Sequence, residues 1–330
     1  MTERSTAGAD SAGSVAADPL RARFDRARVF SWAQTIGIVV LLAIIFATPG
    51  FLAGPSILSL LTTVSFIGCV AIGMTLITIS GNIMSFALGA TVGVTAMVFI
   101  LAVNWLGFGP GLVVGLLIGS LLTGLQGLLI GWVRANPIIV SIAALALIYG
   151  VTQAFTEKGT IYADPGTVPA SVKGKIAGIP IEFIVFLLSA VVAQLILSAT
   201  RFGRNLFMVG SSFRAAEAVG VSTWRTVTGA YLWAGFFTSL AGIMLAIRYD
   251  SANMDYGVAY DYDAIAAVLV GGTAIGGGQG SALRTLAGAM VIASVQVMLL
   301  LQGLRQEWQY LAAGLIVLAV IILQARGSGR

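Results

Sequence analysis

The chain has 330 residues, 58% of them hydrophobic and only 9% charged, against a charged share of about 25% in soluble domains. So little polar surface excludes a soluble globular enzyme. The formal charge of +5 comes from 15 arginines and 3 lysines scattered over short loops, without the basic face and interleaved aromatics of a nucleic-acid binder. With no histidine and one cysteine, Cys69 in an apolar run, disulfide frameworks, His-based triads and most zinc or haem chemistry are excluded.

Residues 1–28 are rich in Ser, Ala, Asp and Arg, and Arg21, Arg23, Arg26 and Arg28 precede the first apolar run. They read as a flexible cytoplasmic tail without the pattern of a secretory signal. Apolar runs bounded by Gly, Pro and charge then predict ten membrane segments, near 29–48, 57–79, 86–103, 111–132, 137–156, 181–199, 227–247, 263–275, 283–302 and 306–324. The expected fold is an all-α polytopic membrane protein with one transmembrane domain over 29–326 and a short tail at 327–330. The eighth segment is too short for a crossing of about 20 residues. It is expected to be a half-helix or re-entrant piece completed by the glycine segment after it. With both termini in the cytoplasm, 13 basic residues lie inside and 5 outside, as the positive-inside rule requires. This leaves an exterior loop at 157–180 and a cytoplasmic loop at 200–226. A five-plus-five division around the exterior loop is arithmetically open, but no sequence identity between the halves supports it.

The spans hold almost no ionisable residues. Asp263 and Arg284 fall at segment ends, and Glu182 and Glu307 begin spans. Because a charge in a membrane span costs about 2.5–3.5 kcal/mol unless it is partnered, a proton relay is not expected. Sodium coupling through backbone carbonyls remains open; otherwise energy must arrive from another subunit. The same absence favours a neutral polar cargo passing along hydroxyls, amides and aromatic faces. Candidate lining groups are Thr75, Thr78, Asn82, Ser85, Gln126, Ser141, Gln153 and Thr273, each equally able to act as interhelical glue. The run Gly276-Gly277-Gly278-Gln279-Gly280 lacks the lysine of a phosphate-cradling loop, so no nucleotide site is written in this chain.

Three stretches depart from ordinary span or loop. Ser80-Gly81-Asn82-Ile83-Met84-Ser85-Phe86-Ala87-Leu88-Gly89 interrupts hydrophobicity between two spans. In Gly271-Gly272-Thr273-Ala274-Ile275-Gly276-Gly277-Gly278-Gln279-Gly280-Ser281 the glycines predict an unwound segment, at about 1 kcal/mol per Gly relative to Ala in a helix. Arg201-Phe202-Gly203-Arg204, followed by Arg214-Ala215-Ala216-Glu217 and Gly220, predicts a short cytoplasmic helix ending at the glycine, able either to fit a partner's groove or to serve as a mere amphipathic connector.

In this order the stretches resemble permease subunits of the ribose-type carbohydrate ABC importers. Their patterns run G-G-I-D-L-S-V-G, then R-F-G-R followed by A-A-x-x-x-G, then D-A-I-A-A-V-x-x-G-G-T-x-x-x-G-x-G-S. The last is the specific one, matched from Asp263 through Gly271, Gly272, Thr273 and Gly278 to Gly280 and Ser281. The resemblance covers most of the chain from about residue 57. It implies a pathway formed with a second permease copy or paralogue in the cell's inner membrane, amid lipid and without nucleic acid. It also implies an exterior solute-binding protein and a separate ATPase pair that carries the ATP and Mg and docks at 200–226. Arg201, Phe202, Gly203, Arg204, Arg214, Ala215, Ala216, Glu217 and Gly220 would couple to that ATPase. Gly81, Asn82, Ser85, Gly89, Asp263 and the glycines from Gly271 on would mark the pathway or helix breaks. Two departures stand out: Met84 follows Gly81-Asn82-Ile83 where the family has an acid, and Arg214 and Glu217 reverse the usual signs around the paired alanines. The reversal fits a charge swap with the ATPase or drift on an exposed face. An ion-coupled carrier or channel, a branched-chain amino-acid permease and a membrane scaffold are the competing readings.

Overall fold

The computed structural model describes residues 48–156 and 159–327, so the predicted tail and all but the last residue of the first predicted span lie outside the described residues. The chain folds as α1 (Gly54–Ile79), α2 (Leu88–Leu106), α3 (Phe108–Val133), α4 (Pro137–Thr156), α5 (Ile181–Ala199), α6 (Arg201–Ser211), α7 (Phe213–Ala218), α8 (Thr223–Tyr249), α9 (Tyr260–Val270), α10 (Ala282–Leu301) and α11 (Gln306–Gly327). Among the described residues, seven helices are long and apolar enough to cross a membrane: α1–α5, α8 and α10. They coincide with predicted spans to within a few residues at each end, and α11 takes the tenth predicted position.

The helices pack as two related sets, α1–α4 and α8–α11. Within each set the second helix packs on the third, and the third and second both touch the fourth. Between the sets the contacts are reciprocal: α3 lies on α8 and α10 on α1, α2 on α8 and α9 on α1. Among the described residues the repeat is therefore four plus four around a central α1–α8 pair, with α5, α6 and α7 between the sets. The N-terminus of α2 meets the N-terminus of α9, which makes the two helices run in opposite senses.

The α3–α8 contact is built on glycine. Gly115, Gly119, Gly127 and Gly131 recur at multiples of four along α3, are buried and face α8, while Gly111 packs on Val103 of α2. A Cβ at Gly131 would stand 2.9 Å from the Trp224 carbonyl oxygen, and one at Gly119 or Gly127 would overlap Ser239 or Tyr231 of α8. α1 is buried along 83% of its most apolar window and is the core of the bundle, whereas α4 is buried along only 11% and presents its surface outward.

The opposite end from α6–α7 carries a small ribbon. β1 (Ile161–Tyr162) pairs antiparallel with β4 (Ser251–Ala252) in the register Ile161 to Ala252 and Tyr162 to Ser251. Residues Lys175–Ile176 (β2) and Ile179–Pro180 (β3) form a second pair leading into α5. Asn104 at the end of α2 ties the segment down, its Nδ2 donating to the Tyr162 carbonyl and its Oδ1 accepting from Asp164 N–H, both at 3.0 Å. Lys173 pairs with Asp250, and Arg248 with Glu182 at 3.2 Å.

The eighth segment corrects the sequence reading. α9 has 11 residues and is about 16 Å long. The stretch that continues it toward the β1–β4 end precedes it: the chain descends from β4 through a single 3-10 turn at Met254–Gly257 and enters α9 from Ala259, whose φ of 70° is left-handed. The glycine segment after α9 is a turn at the α6–α7 end, where Gly278 N–H bonds the Ile79 carbonyl that closes α1, at 3.0 Å. Since α9 ends level with Ile79, its start lies half way along α1, beside Thr63 and Ile67.

Candidate translocation and coupling sites

Two helices begin inside the bundle, and their first turns are joined. Gly89, in the first turn of α2, donates its backbone N–H to Asp261 Oδ1 at 2.8 Å. Asp261 thereby satisfies an orphan donor and sets its carboxylate where the α2 dipole favours negative charge. The backbones of Gly89 and Gly257 are so close that a Cβ on either would overlap the other's carbonyl. Ser85 is buried just before this junction and accepts from Ala87 N–H at 3.3 Å.

Asp263 lies two residues further on and is only 6% exposed. It lines a cavity of about 270 Å³ with Gln296 of α10 and Gln309 of α11, and its Oδ1 accepts no hydrogen bond from any described residue. The expectation of an almost charge-free interior with Asp263 at a segment end therefore fails, because this helix starts inside the bundle, half way along α1, rather than at the bundle's end. Asp261 escaped notice for the same reason. The available signal was Tyr260-Asp261-Tyr262-Asp263 opening an apolar run too short to span.

The glycine stretches form a joint at the α6–α7 end. Gly81, with φ of 83°, packs on the Gly210 backbone of α6, and Gly277 and Gly278, with φ of 80° and 70°, close against Gly81 and Ser211. Gly280 faces Ile79, and Gly271 faces the Arg284 carbonyl where α9 returns into α10. Gly272, with φ of 76°, follows the end of α9, and Ser281 Oγ donates to Gln194 Oε1 of α5 at 3.0 Å. Thr273 is fully buried, and its hydroxyl has no partner among the described residues.

The other candidate lining groups divide by their bonds. Thr75, Thr78 and Ser141 donate to carbonyls of their own helices, and Thr75 also meets Thr285 of α10 at 2.7 Å. Asn82 donates to Ser80 Oγ at 2.7 Å. Gln126 makes a long bond of 3.4 Å to the Leu122 carbonyl, and Gln153 is half-buried on α4.

The segment 201–220 is helical over most of its length. Thr200 caps α6 by accepting from Gly203 N–H at 3.1 Å, and Ser212 caps α7 by accepting from Ala215 N–H at 3.3 Å. α6 buries Gly203, Leu206 and Val209 at a spacing of three and leaves Arg201 and Arg204 exposed, with Phe202 half-buried. α7 ends as expected at a glycine. Gly220, with φ of 80°, donates to the Glu217 carbonyl and Val221 to that of Ala216, the two bonds of a Schellman motif.

Arg134, at the end of α3, holds α7 from one side. Its Nη2 is 2.5 Å from Glu217 Oε1, and its guanidinium lies 5.2 Å from the Phe213 ring centre. Phe213 and Glu217 are four residues apart and share a helix face. Glu217 also accepts from Thr223 at 3.1 Å, so this acid has partners within the chain. Arg214 and Ala215 are exposed, while Ala216 is buried. Between α6 and α7 lies an apolar hollow of about 370 Å³, lined by Phe207, Met208, Ala215 and Val219 among others.

Comparison with known proteins agrees with this architecture. The family described as "Branched-chain amino acid transport system / permease component" matches residues 56–321. The chain is 31% identical over 298 residues to the ribose import permease protein RbsC of Bacillus subtilis (strain 168), covering 89% of this chain and 92% of that protein. It is 29% identical over 293 residues to the protein of the same name from Haemophilus influenzae, covering 87% and 90%. It is also 29% identical over 299 residues to the inner membrane ABC transporter permease protein YjfF of Escherichia coli (strain K12), covering 88% and 90%. No solved structure matches the chain. A bundle of membrane-crossing helices with this match over most of its length belongs to the branched-chain amino acid transport system / permease component family, as a multi-pass membrane permease of the ribose-type ABC importers.

Proposed function

We propose that the chain forms the transmembrane pathway of an importer for a neutral sugar or sugar-like solute. A separate ATPase pair, holding ATP and Mg, docks on α6–α7, and an exterior solute-binding protein delivers cargo at the β1–β4 end. A second copy or a paralogue completes the pathway. Both termini are cytoplasmic, a reading supported by Arg134, Arg201, Arg204, Arg214, Arg225 and Arg284 clustering toward the α6–α7 end. The sugar cargo is supported by relatives whose names specify ribose import and, for another, autoinducer 2 import.

One observation carries the coupling role. The Gly210 backbone of α6 abuts both the Ile79 carbonyl and the Gly278 backbone, so α6 cannot shift without moving the end of α1 and the α9–α10 turn. An ATPase pulling on α6–α7 thereby acts on both halves of the bundle, and alternating access follows from rigid-body displacement.

The test is ATPase stimulation by loaded binding protein in the reconstituted importer. Ala216 is a poor site for it, because a bulky charge there disrupts a buried position of α7. Val219 is 70% exposed beside the apolar hollow, so Val219→Glu is expected to leave the fold intact and abolish stimulation. Undiminished stimulation would reject the coupling role. Uphill uptake by this chain with an ion gradient and no ATPase would establish the carrier reading instead.

A further inference from the structure

We propose that the cavity at the start of α9 is a monosaccharide site within this chain, with Asp263 as the acceptor for a pair of sugar hydroxyls. It rests on the sugar reading above and adds a location and a chemistry to it.

A carboxylate this buried needs donors; the Gln296 side chain gives Asp263 one, and its Oδ1 receives none from the described residues. Two neighbouring hydroxyls on a sugar ring supply them, and hydrogen bonds to an ionised acceptor are the stronger kind. Gln309 offers both donors and an acceptor for the remaining hydroxyls, and Gln296, already bonded to Asp263, adds its carbonyl oxygen. The rings of Tyr249 and Tyr256, with centres 5.5 Å apart, give flat apolar faces for the C–H side of the ring. At about 270 Å³ the cavity lies at the lower edge of small-molecule sites, near 300–1,000 Å³, and takes one ring rather than an oligosaccharide.

Other occupants fit less well. Among the described residues no Lys or Arg lines the cavity, and Asp255 joins Asp263 there, so the carboxylate of an amino acid would be repelled. Among the described residues no group of three or more Asp, Glu, His or Cys could hold a metal ion. An organic cation among the tyrosines is the remaining competitor, and the cavity's amides then have no role.

The experiment uses the full chain in nanodiscs, with saturation-transfer NMR against D-ribose, D-xylose and D-galactose, alongside uptake of the same sugars by the reconstituted importer. At least one sugar is expected to receive saturation from the wild-type chain. Asp263→Asn should weaken that signal and the uptake by about tenfold or more, from loss of a charged acceptor, and Gln309→Ala should weaken them less. If Asp263→Asn fails to elute as a folded protein, Gln309→Ala carries the comparison. Sugar signal and uptake unchanged in the folded variants would overturn this site and leave the proposed function standing. Displacement of the sugar by tetramethylammonium would overturn it in favour of a cation cage. A wild-type importer that takes up no neutral sugar would overturn the proposed function and this site with it.

Discussion

The contact of α3 with α8 and the contact of α10 with α1 occupy equivalent positions in the two halves, yet they are made differently. In the first, glycines at multiples of four bring one backbone against the other, and side chains of α8 fill the space a Cβ would need. In the second, the link is a threonine pair, Thr75 and Thr285, at 2.7 Å. Lipid gives no hydrophobic drive to helix association, so close packing and interhelical hydrogen bonds must supply it. The contrast indicates that α3–α8 is a fixed joint that tolerates no enlargement. The other half, holding the short α9, its acids and a polar cavity, retains alternatives.

The sharpest way to break that contrast is Gly119→Leu. A side chain there must displace Ser239 and Thr95, which already occupy the position of its first atom. Overpacking of a fitted interior costs about 1–3 kcal/mol and sometimes more. Here the obstruction lies against two helices at once, so the upper part of that range or beyond is expected. Fluorescence-detected size exclusion of a tagged chain should show loss of the folded peak. A normal peak would show that α3–α8 yields as readily as its counterpart.

A smaller effect is expected at the junction of the halves. Asp261→Ala removes the acceptor for Gly89 N–H and leaves an N-terminal donor of α2 unsatisfied inside the bundle. Hydrogen bonds to a charged group contribute about 1.5–3 kcal/mol. Thermal melting in detergent should fall accordingly, and Asp261→Asn, which keeps an acceptor oxygen, should recover much of the loss. Equal melting of the Ala variant and the parent would mean that α2 and α9 are held together by their backbones alone.

How far these features could be read in advance depends on whether their cause is local. Spans are legible because length and hydropathy belong to each apolar run by itself, and the end of α7 is legible because Gly220 takes a left-handed φ wherever its partners lie. The glycine spacing of α3 was equally present in the sequence, but its meaning depends on Ser239 and Tyr231, more than 100 residues away. The start of α9 is illegible for a similar reason. It is preceded by an irregular stretch anchored through β4 to Ile161, and no periodicity marks such a stretch. Glu217 looked like a surface charge awaiting an outside partner, and only the left-handed turn at Arg134 brings its counterion within reach. The reciprocal halves also left no trace in residue identity, since packing geometry was kept while the means of packing diverged.

The mildest test concerns the threonine pair itself. Thr75→Val keeps the shape and removes the hydroxyl that meets Thr285. Thr285 is not orphaned, because its Oγ1 also bonds the Ser281 carbonyl at 3.2 Å. The Ala71 carbonyl loses only the extra bond from Thr75. Interhelical hydrogen bonds of this kind average about 0.6 kcal/mol in a bilayer protein, so the melting temperature should shift barely beyond the error of the measurement. A loss approaching that of Gly119→Leu would instead make α1–α10 as unforgiving as α3–α8. Mobility would then have to be sought in α6–α7 and the glycine joint beneath them.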